Sequence, residues 1–96
     1  MLTESAYAIS KDEFVKIKNE AINAINKAQS CYNSLDDIRQ SELEISGHLV
    51  NIKTTFNDAK QLERTLKSTN NDITGSAGVY ESARLYANRI VSAYCN

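Results

Sequence analysis

The stretch Ile45-Ser46-Gly47-His48-Leu49-Val50 lies almost at the midpoint of a 96-residue chain that contains no proline and only three glycines. The residues on both sides follow helical periodicity, so Gly47 lies either inside one long helix or at the turn of a helical hairpin. Glycine costs about 1 kcal/mol in a helix interior and is the preferred residue just past a helix end. A continuous rod from Lys11 to Lys67 would be about 85 Å long, which is long for so small a domain. We therefore expect a hairpin with its turn at residues 46–48, and the rod is the alternative.

A capping box marks the start of the first helix. Ser10 can accept a hydrogen bond from the first free amides, Glu13 can reach back to the amide of Ser10, and Ile9 can pack on Phe14. From there apolar or small residues alternate in steps of three and four: Phe14, Ile17, Ala21, Ala24, Ala28, Cys31, Leu35, Ile38 and Ile45. This heptad seam predicts a first helix over about residues 11–45, preceded by an N-terminal arm at residues 1–9.

Two further helices are predicted beyond the glycine. Periodicity continues through Leu49, Ile52 and Phe56, which indicates a second helix over about residues 48–67, in which Glu63 and Lys67 are a favourable i,i+4 pair. Residues 68–75 are rich in side chains that compete with helix for backbone hydrogen bonds, so they predict a break. A third helix follows over about residues 76–94, with Ser76 as its cap. The expected fold class is all-α, an antiparallel helical hairpin or small bundle in a single domain over residues 1–96.

Charge and hydropathy argue against several classes of protein. The 11 basic and 12 acidic side chains nearly cancel, which argues against a nucleic-acid-binding protein. No apolar run approaches the roughly 20 residues that a membrane-spanning helix needs, so we expect no membrane insertion. The N-terminus has no basic segment followed by an apolar core, as a Sec signal peptide would. We expect a cytoplasmic protein or one that is secreted without such a signal.

No group of residues in the sequence indicates a reaction. The single histidine, His48, lies beside the proposed turn and has no nucleophile or acid at a spacing that suggests a triad. Cys31 and Cys95 match no metal or redox motif, so we expect a buried free thiol at Cys31 and a frayed end at Cys95 rather than a structural disulfide. The sequence therefore predicts no enzyme, no catalytic residues, no metal and no cofactor.

An interaction surface is the remaining functional prediction. The first helix carries a shallow strip of alanines beside larger apolar side chains, and this apolar stripe is wider than one partner helix usually covers. The predicted partner-binding residues are Ile17, Ala21, Ala24, Ile25, Ala28 and Tyr32. The alternative is that these residues face the later helices of the same chain, because a hairpin also needs a core. The expected partner is a helical protein or a second copy of the chain.

The length, the absence of proline and the central Ile45-Ser46-Gly47 turn resemble the WXG family of small helical-hairpin proteins of type VII secretion. The resemblance places these three residues on the Trp-x-Gly turn of the family, although the chain has no tryptophan. The family's Tyr-x-x-x-Asp/Glu export signature is also missing, because Arg84 follows Tyr80 and Ile90 follows Tyr86 at that spacing. The resemblance implies a WXG-like secreted protein, or a targeting factor or chaperone that packs on the helical N-terminal region of an LXG-type toxin. A cytosolic immunity or regulatory protein that inhibits an enzyme is the alternative.

Overall fold

The computed structural model describes residues 9–96. Within this range it contains four helices and no strand: α1 (Lys11–Ser34), α2 (Asp37–Ser46), α3 (His48–Ser68) and α4 (Thr74–Tyr94). The predicted all-α class is confirmed. The predicted N-terminal arm lies outside the described residues except for Ile9, which packs beside Phe14 and donates its amide to Thr74 Oγ1 at 3.3 Å.

The predicted hairpin turn is confirmed, and the continuous rod is excluded. Gly47 has a φ of 80°, in the left-handed region, and it separates the end of α2 from the start of α3. The Gly47 amide donates to Glu44 O at 3.2 Å, and the Ser46 hydroxyl donates to Leu43 O at 2.6 Å. These bonds use carbonyls that the end of a helix leaves without an intrahelical partner.

The start of α1 follows its sequence signature. Ser10 is the N-cap, and its hydroxyl accepts a hydrogen bond from the Glu13 amide at 3.0 Å. The predicted pair on α3 also forms, with Lys67 Nζ 2.8 Å from a carboxylate oxygen of Glu63. Both features are local, since their partners lie within one turn of helix, so the sequence alone was sufficient to predict them.

The prediction of one unbroken first helix over residues 11–45 is wrong. Leu35 and Asp36 have extended backbone conformations, and the Asp36 side chain caps α2 by accepting from the Arg39 amide at 2.8 Å. The break rotates the apolar face of the following helix. Leu43, outside the predicted seam, is fully buried, whereas the seam residues Ile38 and Ile45 are 76% and 86% exposed.

The three long helices, α1, α3 and α4, form a bundle with α4 at its centre. The Ser76 hydroxyl on α4 donates to Ala59 O on α3 at 2.9 Å, and Lys18 on α1 pairs with Glu63 on α3. Helix α3 is therefore antiparallel to α1 and α4, while α4 runs parallel to α1. The start of α4 differs from the prediction, because Ser76 is buried inside the helix and does not cap it; Asp72 accepts from the Thr74 amide instead.

Cys31 and Cys95 form a disulfide, so the expectation of a free thiol and a frayed end is wrong. Their Cα atoms are 5.9 Å apart although the residues are 64 apart in sequence. Parallel packing of α1 and α4 brings the ends of the two helices to the same level of the bundle. The bond therefore fixes the C-terminal end of α4 against α1.

Replacement of Gly47 by alanine tests the turn. The left-handed backbone at Gly47 is unfavourable for a residue with a Cβ, so we expect Gly47→Ala to lower the free energy of unfolding by about 1 kcal/mol. Gly78→Ala is the matched control, since an added Cβ meets no atom within 4 Å at either position and Gly78 lies inside α4. The control should stabilise the chain by up to about 1 kcal/mol. Urea titrations measure both values, and stabilisation by Gly47→Ala would contradict the turn.

Removal of the disulfide tests the closure of the bundle. The bond closes a long loop and restricts the unfolded chain, so we expect Cys95→Ser to lower the free energy of unfolding by about 2 to 4 kcal/mol. Cys95 is exposed, so its replacement leaves the core packing in place. Thermal melts with and without a phosphine reductant provide the control: the reductant should lower the Tm of the wild type and leave that of Cys95→Ser unchanged. A wild-type Tm that does not change when the reductant is added would contradict the disulfide.

Candidate functional site

A groove separates α1 from α3. Each of these helices packs closely on α4, but they hardly approach each other along their lengths. The contact between α1 and α4 is close because both faces carry alanines: Ala21 shares a buried cluster with Ala77, and Ala24 shares one with Ala87. Small residues let helix axes approach, so α4 lies close to α1 along its length.

The groove has a volume of about 440 Å³ and mostly apolar walls. Ile25, Ala28 and Gln29 of α1 form one wall, and Leu49, Val50, Ile52, Lys53 and Phe56 of α3 form the other. Val50 is 64% exposed at the mouth of the groove, whereas Ile52 is buried at its floor. Such an open apolar channel between two helices has the shape that a further helix fills in a four-helix bundle.

The predicted alanine strip is internal. Ala21, Ala24 and Ala28 are at most 5% exposed and belong to the core between α1 and α4. The prediction that a partner lies along these three alanines therefore does not hold for the folded chain, and the alternative, packing on the chain's own helices, is what the structure shows for them. Only Ala28 also lines the groove.

The other predicted residues lie in different places. Ile25 is half-buried in the groove wall, and Ile17 is half-buried against the cluster around Phe14. Tyr32 is half-buried and donates its hydroxyl to the carboxylate of Glu44, which raises the pKa of Tyr32 and links α1 to α2. Of the predicted turn residues, Ile45 points into solvent beside Gly47. The groove therefore keeps part of the predicted surface, namely Ile25 and Ala28.

Lysines follow the α3 side of the groove. Lys53, Lys60 and Lys67 are seven residues apart and so share one face of α3. Lys53 lines the groove, and the Lys60 ammonium lies 5.2 Å from the centre of the Phe56 ring. In the described part of the chain neither Lys53 nor Lys60 forms an ion pair with a carboxylate. The apolar channel thus has a positively charged edge.

Glu63 holds the other lysines at the far end of α3. Its carboxylate accepts from Tyr80 Oη at 2.6 Å and from Lys67 Nζ at 2.8 Å, and it lies 3.1 Å from Lys18 Nζ. Burial by itself raises the pKa of Glu63, but hydrogen bonds from Lys67, Tyr80 and Lys18 outweigh it and lower the pKa to about 2. Burial and the bond to Glu63 in turn raise the pKa of Tyr80. This cluster ties α1, α3 and α4 together and is satisfied within the chain.

The described range, residues 9–96, holds no group of three or more histidine, cysteine or acidic side chains placed to bind a metal ion. It also holds no helix long and apolar enough to cross a bilayer. His48 is exposed beside the turn, and Cys31 is engaged in the disulfide.

The α3 residues that line the groove were not among the predicted partner-binding residues. Leu49 and Phe56 were assigned to the seam that faces the first helix, and that assignment takes no account of the gap between α1 and α3. A signal was available in the lysines at positions 53, 60 and 67, whose spacing places them beside the apolar seam rather than opposite it.

Comparison of the chain with protein-family models, with curated proteins and with solved structures finds no match. The groove is therefore interpreted from its own geometry and charge.

The pH dependence of stability tests the Glu63 cluster. The pKa of Glu63 in the folded chain, about 2, lies below its ordinary value of 4.5, so ionisation stabilises the folded state. This stability is present above pH 4.5 and is lost as the pH falls towards 2. We expect Glu63→Gln to lower the free energy of unfolding by about 2 kcal/mol at neutral pH and by less than half as much at a pH of about 3.

Glu81→Gln is the matched control for this change. Glu81 pairs only with Arg84, one turn away on the surface of α4, and such pairs contribute little. Denaturant titrations at both pH values provide the comparison. The role assigned to the carboxylate would be contradicted if Glu63→Gln lost the same free energy of unfolding at both pH values. A loss no larger than that of Glu81→Gln would contradict it too.

Proposed function

We propose that this chain is a non-enzymatic helix-binding module of a type VII secretion-like system. It acts as a WXG-like secreted protein or as a targeting factor or chaperone that packs on helices of a cargo toxin. The observation that carries the binding role is the open apolar groove between α1 and α3. The resemblance of the Ile45-Ser46-Gly47 hairpin to the WXG turn supports the assignment to secretion.

The spacing of the groove residues favours a helix as the occupant. Leu49 and Phe56 on one wall are seven residues apart, or about 10.5 Å along the helix axis. Ile25 lies on the opposite wall. A helix with apolar side chains in a seven-residue repeat would place successive knobs between these residues, as helices do in bundles.

The charge of the groove edge favours an acidic occupant. Lys53 and Lys60 have no carboxylate partner within the described residues, so their charges are available to a ligand. A partner helix with glutamate or aspartate beside its apolar stripe would pair with them at the rim of the contact. Rim charges of this kind set the orientation and the rate of association more than the final affinity.

The disulfide supports the secreted form of the proposal. Disulfides persist in oxidising compartments and are rare in the cytosol. Cys31 and Cys95 are bonded in the folded chain, which favours a protein that functions outside the cytosol. The same observation weighs against the alternative of a cytosolic immunity protein.

A synthetic helical peptide tests the groove directly. The probe carries leucines in a seven-residue repeat flanked by glutamates, and a second peptide has lysines in place of the glutamates. Fluorescence anisotropy should show that the wild type binds the acidic peptide. The affinity of Val50→Glu for this peptide should be at least tenfold lower, because a charge at the groove mouth is unfavourable against an apolar stripe. Lys53→Glu should reverse the preference between the two peptides.

Val15→Glu is the matched control for Val50→Glu. Val15 is also an exposed valine, 47% accessible, but it lies on α1 outside the groove. Its replacement should change the affinity less than twofold. Absence of binding at high peptide concentration, or equal losses for both valine variants, would contradict the proposed function.

A further inference from the structure

Helix α2 has apolar side chains on two opposite faces. Leu43 is fully buried and holds α2 against the bundle, whereas Ile38 and Ile45 are 76% and 86% exposed. Since these two isoleucines are seven residues apart, they lie on one face at a separation of about 10.5 Å. A surface helix normally presents polar residues on its outer face. The pair of isoleucines, called here the outer face of α2, therefore has no partner within the described chain.

The outer face of α2 is bordered by acidic side chains. Asp37 and Glu42 are exposed on this ten-residue helix, and Glu42 lies within one turn of each isoleucine. The one basic residue of α2, Arg39, is half-buried, with its guanidinium 5.2 Å from the centre of the Tyr94 ring in the core. The outer face is thus apolar in the middle and negative at its edges.

We infer that the outer face of α2 docks into the α1–α3 groove of a second copy of this chain. The apolar spacing agrees, because Ile38 and Ile45 have the same seven-residue separation as Leu49 and Phe56 of the groove. The charges are complementary, because the acidic border of α2 meets Lys53 and Lys60. This inference rests on the groove of the proposed function and names one helix that fills it.

The position of the two surfaces allows a reciprocal dimer. The α3 wall of the groove begins at Leu49, two residues after Gly47, so it adjoins the end of α2. The outer face points away from the chain's own bundle, since Leu43 occupies the inward side. Two copies related by a two-fold axis can each insert α2 into the groove of the other. Both apolar surfaces of each copy are then covered in one closed assembly. A cargo helix with a longer apolar stripe would displace α2 from the groove.

Sedimentation equilibrium of the full chain tests the inference. The wild type should be a dimer, and Ile45→Lys should raise the dissociation constant at least tenfold because it places a charge in the apolar contact. Val15→Lys, an equally drastic change at an exposed valine outside both surfaces, should leave the dimer unchanged. Circular dichroism of each variant establishes that the helices are intact.

A mixture of two charge-reversing variants gives a sharper test than Ile45→Lys alone. Glu42→Lys and Lys53→Glu should each weaken self-association, since residues 42 and 53 carry like charges in both contacts of those dimers. An equimolar mixture of the two variants should restore the dimer, because each groove then meets an α2 of opposite charge. A monomeric wild type, a dimer insensitive to Ile45→Lys, or a mixture that stays monomeric would overturn the inference.

These outcomes separate the inference from the proposed function. A monomeric wild type that still binds the acidic peptide leaves the groove as a helix-binding site and overturns only the docking of α2. Loss of both self-association and peptide binding overturns both.

Discussion

The close contact between the alanine faces of α1 and α4 is the constraint on which the rest of the molecule depends. Ala21, Ala24 and Ala28 meet Ala77 and Ala87 with almost no exposure, and side chains this small let the two helix backbones come together. The parallel pair that results brings Cys31 and Cys95 to bonding distance. It also leaves α3 packed mainly on α4, with a groove between α3 and α1.

The polar interactions of the bundle stabilise this arrangement without closing the groove. Glu63 joins α1, α3 and α4 at one end through Lys18, Lys67 and Tyr80. The disulfide joins α1 and α4 at the other end. Between them, the groove walls face each other across a channel lined mostly by apolar side chains. The described residues measure 55 × 22 × 16 Å, and the groove covers about two helical turns of this elongated body, at residues 25–29 and 49–56.

The features that the sequence predicts correctly are those decided within one or two turns of helix. Gly47 is one of few glycines and lies between two periodic segments, so its role as a turn could be inferred from local chemistry alone. The Ser10 cap and the Glu63–Lys67 pair are equally local.

The break at Leu35 and Asp36 was missed because a heptad count continues across two non-helical residues, although Asp36 is a common capping residue. The disulfide was missed because a separation of 64 residues carries no information on proximity. The alanine strip was assigned to a partner because small residues suit an internal helix and an external one equally, and only the placement of α4 decides between them.

Nuclear magnetic resonance of the isotopically labelled chain during titration with an acidic amphipathic helix tests the central claim most directly, since it locates the contact residue by residue. We expect the amide shifts to change along both walls of the groove, at residues 25–29 and 49–56, while those on the outer surface of α4 around Leu85 and Tyr86 stay unchanged. Changes centred on Leu85 and Tyr86, with the groove walls unaffected, would contradict the central claim.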